Sequence, residues 1–344
     1  MTMKNKIIAG LALAGLCLTA TSSPAFARKV RIKLGTLAPE GTEWYDSIET
    51  MGRRWKEASG GEIQLTIYPG GALGDESEMV EKMRRRQLHA ATITSLGLGS
   101  ISRATIALQI PMMFSSYEEL DYVREKLAPK LAEELGKGAQ GFVVLDWGDA
   151  GWVQFFSKEK ALTPAEMKKQ RLFVWTGDPE SEAAWRAAGF NVVPTASSDV
   201  LQGLQTGRLE AFASVPLYAA TQQWFGLAPN MLAVKWAPLS GATVVTKDAW
   251  EKIDAELRPK LIEIAKEESR KNRQTIRGYG DRAIATMKKS GLKVFEPDAA
   301  TVKAWRETAE SAYPAIRGKI VPENYFDEVQ KLVKEFRAKG GAAK

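Results

Sequence analysis

The chain contains one histidine, His89, and one cysteine, Cys17. A Ser-His-Asp triad or a multi-histidine metal centre has almost nothing to draw on, and thiolate chemistry would depend on Cys17 alone. No metal and no cofactor is therefore expected. His89 follows Leu88 at the end of a helical pattern and reads as a surface or internally satisfied residue. Acids are plentiful, and paired carboxylates are the machinery of a glycoside hydrolase. The run "GDPESE", Gly177 to Glu182, reads instead as a turn and a helix start, where negative side chains complement the helix dipole. What remains is "MKKQRLFVWTGDPE", Met167 to Glu180. Alternation puts Arg171, Phe173 and Trp175 on one face of a strand, with Leu172 and Val174 on the other. Two large aromatics beside a Thr-Gly-Asp-Pro turn either pack a core or line a cavity. In a cavity their chemistry is binding, not catalysis, and no enzymatic activity is expected.

The elements that must hold this strand begin after a leader. Lys4 and Lys6 precede a short apolar run, "IIAGLALAGLCLTA", and "AFA" (Ala25 to Ala27) supplies a small-residue cleavage site, so residues 1–27 read as a secretory signal peptide. The run is too short to anchor in a membrane. Leu16 is bulky where lipid attachment at Cys17 would want a small residue. Cleavage after Ala27 takes 27 of the 344 residues, leaving 317, and loss of the two lysines lowers the formal charge from +7 to +5. That length can bury two cores. Arg84 to Arg86 sit away from the apolar positions of their helix and read as a solvated face, so no nucleic-acid partner is expected. No later apolar run reaches membrane-spanning length, which implies a soluble, exported protein.

Strand-like alternation at Val30, Ile32 and Leu34 precedes a helical stripe of Trp44, Ile48, Met51 and Trp55, then a strand at Ile63, Leu65 and Ile67. Strands alternating with helices indicate α/β units. Two segments, "VEKMRRRQLHAATI" and "LQGLQTGRLEAFAS", share the same apolar spacing and read as a helix that stops before a short strand, with Gly207 as the stop in the second. Leu120, Val123, Leu127 and Leu131 predict a helix, which Gly136 can end, and Trp250, Ile253, Leu257, Leu261 and Ile264 predict one long charged helix. Phe326, Val329, Leu332, Val333 and Phe336 predict an amphipathic terminal helix.

Seven stretches in this order carry a resemblance: "VRIKLGTLAPEGTEWYDSI", "YPGGALGDESEMVEKM", "QIPMMFSSYEEL", "ALTPAEMKKQRLFV", "SSDVLQGLQTGRLEAF", "VVTKDAWEKIDAELRPKLIEIAKEE" and "KKSGLKVFEP". Together they resemble the periplasmic solute-binding subunits of tripartite ATP-independent periplasmic (TRAP) transporters, the DctP-type family. The resemblance implies an α/β, two-lobed, type II-like binding-protein fold, with crossing strands, a long connecting helix and a ligand cleft between the lobes. It divides the chain into lobe I, 28–150 plus 239–278, and lobe II, 151–238 plus 279–344. It also implies that the closed form docks on a membrane permease driven by an ion gradient.

In that family the segment aligned with "KKQRLFV" carries an arginine that clamps a ligand carboxylate, and the position falls on Phe173. A second cationic position falls on Val153 and a pocket carboxylate on Thr94. A charge-assisted hydrogen bond contributes about 1.5–3 kcal/mol, so its loss weakens a small acid by at least roughly 10–100-fold. The wall instead favours an apolar or aromatic surface. Ser197 and Ser214 align with ligand-contacting positions and would supply neutral hydrogen bonds. Trp147, Trp152, Tyr218 and Trp224 are further candidates, and for each tryptophan packing at the hinge or in a core is an equally open reading. The aromatic-rich segments resemble an arginine-less branch of the family, some of whose members work beside a tetratricopeptide-repeat partner. Three other readings stay open: an acidic ligand held by a substitute cation such as Arg171, a periplasmic sensor subunit, and a carboxylate-based hydrolase.

Overall fold

Two long strands carry the architecture, which is a computed structural model describing residues 29–340. The predicted leader, its cleavage site and Cys17 lie outside the described residues. The strands are β1 (Val30–Thr36), β2 (Ile63–Tyr68), β3 (Ala90–Thr94), β4 (Phe142–Ser157), β5 (Leu172–Trp175), β6 (Val192–Thr195), β7 (Ala211–Ser214), β8 (Asn230–Thr246) and β9 (Lys293–Phe295). Their order is β2-β1-β3-β8-β4-β7-β5-β6, and β9 also pairs with β8. β4 and β8 run antiparallel for 16 and 17 residues, roughly 50 Å of extended chain. β3 joins β8 at Gly241–Val245, whereas β7 joins β4 at Gln154–Ser157 and β9 joins β8 at Asn230–Leu232. One set of strands therefore hangs on each end of the shared pair, the two-lobed plan.

Between the two sets the β4/β8 pairing slips three times, at Val144/Asp146, Asp149/Gly151 and Val153/Phe155. Such bulges bend a strand and re-aim its side chains. Gly151 sits there at φ +127, a backbone conformation that a side chain strains.

The helices follow the apolar stripes. Helix Glu43–Ala58 starts where Thr42 accepts the Tyr45 N–H, and it buries Ile48, Met51 and Trp55. Helix Tyr117–Leu135 buries the predicted leucines and ends at Gly136. The echoed segments form helix Glu76–Arg84 before β3 and helix Val200–Thr206 before β7. Gly207 caps the second in the left-handed conformation, φ +77. One expectation fails: the stripe from Trp250 to Ile264 is not one helix. A short helix, Lys247–Trp250, stops, and a new one begins at Arg258 with Pro259 in its first turn, where a missing N–H costs nothing. Trp250 and Ile253 are buried all the same, the first from the end of the short helix and the second from the connection. The second helix runs unbroken to Lys289, 32 residues, so a single rod passes position 278/279, just as β4 passes 150/151 and β8 passes 238/239. No described helix is long and apolar enough to cross a membrane.

Candidate functional site

A cavity of about 320 Å³ lies where the two strand sets face each other across the bulged centre of β4 and β8. One side is polar: Thr92 and Thr94 end β3, Asp146 leaves β4 at the first bulge, Ser240 and Thr243 come from β8, and Glu76 opens its helix. The other side is aromatic. Phe173 and Trp175 come from β5, Trp185 from the helix Pro179–Ala187, Phe190 from the turn after it, and Trp236 from β8. Trp185 stacks on Trp236 with centroids 5.3 Å apart, and Phe190 meets Trp185 edge-on at 4.9 Å. Trp44 from the first helix also lines the cavity.

Six carboxylates line it (Glu76, Asp146, Asp149, Asp178, Glu182 and Glu268), and among the described lining residues there is no lysine, arginine or histidine. Four of the six are neutralised from behind. Asp149 pairs with Arg124 and Arg277, Asp178 with Arg103, Glu182 with Arg186, and Glu268 with Arg54 and Lys271. Glu76 and Asp146 make no ion pair among the described residues. Glu76 accepts the Thr94 N–H at 2.9 Å, the Thr94 hydroxyl at 2.7 Å and the Gly97 N–H at 2.9 Å, yet burial still raises its pKa. Asp146 Oδ1 accepts the Thr243 N–H at 3.1 Å, and burial pushes the carboxyl up to about 6. Asp146 is half-buried and lines the hollow. Three lining atoms have no hydrogen-bond partner: Trp44 Nε1, Gln109 Oε1 and Ser240 Oγ.

Of the residues singled out in the sequence, Phe173, Trp175, Val153, Thr94, Ser214 and Tyr218 line the cavity. Phe173 does so with little surface, being 3% exposed, its ring otherwise packed edge-on to Trp175 and Trp224. Thr94 is occupied by Glu76. Trp147, Trp152, Trp224 and Ser197 lie outside the lining. Trp152 faces the opposite side of β4 from Val153 and packs on Tyr117 at 5.4 Å. Trp147 is likewise turned away, packing against buried clusters behind the strand. Trp224 is core, 1% exposed. Ser197 reaches the cavity only through Tyr218, whose hydroxyl it meets at 2.9 Å.

Arg171 is corrected outright. It precedes β5, is exposed, and donates to the Gly207 carbonyl and to Glu210 at 2.7 Å, so it cannot replace the missing cation. Sequence reasoning missed Trp44, Trp185, Trp236, Gln109, Asp146, Glu76 and Ser240. Trp44 stood at the edge of a stripe otherwise buried in the core, a usable sign. The rest lacked a local signal. His89 is satisfied as expected, its Nδ1 accepting the Lys33 N–H at 3.1 Å.

Residues 34–319 match the family model DctP, "bacterial extracellular solute-binding protein, family 7". The chain belongs to this family. The 2,3-diketo-L-gulonate-binding periplasmic protein YiaO of Escherichia coli is 23% identical to it over 291 residues, 83% of this chain and 86% of that one. The C4-dicarboxylate-binding periplasmic protein DctP of Rhodobacter capsulatus is 23% identical over 329 residues, 93% and 96% of the two chains. A Roseobacter denitrificans solute-binding protein is 26% identical over 59% of this chain, a match that spans 62% of its own length. Among solved structures, a TRAP periplasmic solute-binding protein from Pseudomonas putida with D-glucuronate bound superposes with a TM-score of 0.80 at 19% identity, covering 90% and 97% of the chains. One from Ralstonia eutropha with (S)-2-acetolactate gives 0.82 at 18%, covering 89% and 99%. The fold is thus shared over about nine-tenths of the chain, and proteins of this family are carriers instead of enzymes.

Proposed function

We propose that this family 7 protein works in the periplasm, after cleavage following Ala27, and closes lobe I (28–150 plus 239–278) and lobe II (151–238 plus 279–344) over a largely apolar solute that carries no acidic group. The loaded form then delivers the solute to the membrane subunits of a TRAP-type, ion-gradient-driven permease. A tetratricopeptide-repeat partner belongs to the same proposal, tested by co-purification with tagged protein. The observation that carries the ligand reading is the absence of any cation among the described residues lining a cavity that holds six carboxylates. A ligand carboxylate closed into it without a partner would cost several kcal/mol, while each aromatic wall residue offers 150–250 Å² of burial surface at about 25 cal/mol per Å².

A second reading is a small organic acid, favoured by the glucuronate, acetolactate and succinate bound to structural neighbours. Native mass spectrometry of protein purified without denaturation tests the two. An apolar molecule bound one to one supports the first reading. A bound dicarboxylate or sugar acid overturns it.

A further inference from the structure

The cavity is two-faced, and its polar side is short of donors. Asp146 and Glu76 lack a cation, Gln109 Oε1 lacks a donor, and the Ser240 hydroxyl, able to donate or accept, is sealed in the wall without a partner. The buried lining donors without a partner are the Trp44 N–H and the Ser240 O–H, and neither carries charge. Against the Asp146 carboxyl, a solute that brings hydrogen-bond donors and no negative charge is favoured. An ammonium group has three donors, no acceptor and one positive charge. The facing rings add to this, because indole and phenol faces attract cations.

We propose that the solute is an amine: an apolar, ring- or chain-bearing body lies against Trp185, Trp236 and Trp175, and its protonated amino group sits on Asp146. This rests on the apolar-solute reading above and names the head group that reading leaves open. Asp146 is the residue that sets specificity. It stands at the first slip of β4, held in place by the Thr243 N–H, and among the described residues it has no ion-pair partner for an ammonium to displace. Glu76, already saturated by three donors, contributes field and not contact.

Three probes of similar size test it by titration calorimetry on ligand-stripped protein at pH 7.5: phenethylamine, phenethyl alcohol and phenylacetate. The amine is expected to bind at least about tenfold tighter than the alcohol, from one charge-assisted hydrogen bond, and phenylacetate weakest. Asp146→Asn is expected to narrow the gap between amine and alcohol to less than about threefold. Trp185→Leu, by contrast, should weaken amine and alcohol alike, which separates charge recognition from apolar contact and from misfolding. An alcohol that binds as tightly as the amine overturns the amine proposal and leaves the apolar reading standing. Phenylacetate binding tightest, or none of the three binding at millimolar concentration, overturns both.

Discussion

Replacing Asp146 by asparagine should make the empty protein more stable, and only above mildly acidic pH. The carboxyl has an ordinary value of 3.8 and is raised to about 6 in the fold, mainly because burial penalises the charged form. Between those two values the folded chain holds a proton that the unfolded chain has released. Raising the pH through this window therefore costs the wild type stability, and the cost is complete above pH 7. A displacement from 3.8 to about 6 corresponds to about 3 kcal/mol. Asparagine is neutral throughout, keeps an oxygen for the Thr243 N–H, and escapes the cost. Urea unfolding of both proteins in ligand-free form at a series of pH values from 4 to 7.5 measures it. The stability difference, variant minus wild type, should rise by about 2.4 kcal/mol across that range, since at pH 4 the unfolded carboxyl is already partly ionised, whatever constant offset the amide itself introduces. A difference that stays flat, or that moves toward the wild type as pH rises, would show that Asp146 is solvated or paired with a cation, and the account of the cavity's charge would fall with it.

Arg171→Ala should leave ligand affinity unchanged and stability within about 1 kcal/mol, because its partners Gly207 and Glu210 are at the surface; loss of binding in calorimetry would reinstate it as the substitute cation. Gly151→Ala should lower stability by about 1–3 kcal/mol through backbone strain at φ +127. The added methyl would meet Val215 only at 3.5 Å, so unaltered urea unfolding would refute the strain. Arg103→Met cuts an ion pair that joins the short helical turn after β3 to Asp178 beyond β5. The ligand-free protein should then open, seen as a larger radius of gyration in X-ray scattering; an unchanged radius would mean this pair does not hold the lobes together.

Much of this molecule is readable from its residues in order. Period-two and helical spacings mark β1, β2 and the helices at 43–58, 117–135 and 323–338, because one buried face needs one repeat and both are local. The scarcity of histidine and cysteine argues against triads and thiol chemistry before any coordinate is known. The resemblance singled out Phe173, and the structure sets it in the cavity wall.

Tertiary structure decided the rest. Trp44, Trp185 and Trp236 meet only because the strand order brings distant segments to one cleft. The slips in β4 turn Asp146 and Val153 inward and Trp147 and Trp152 outward, which no alternation count across a bulge can foresee. Glu210, 39 residues away, captures Arg171 and removes it from the site. Local periodicity is written by the chain's own geometry, but the charge and shape of a cavity depend on which remote groups pair behind its walls, and that is settled only when the sheet is assembled.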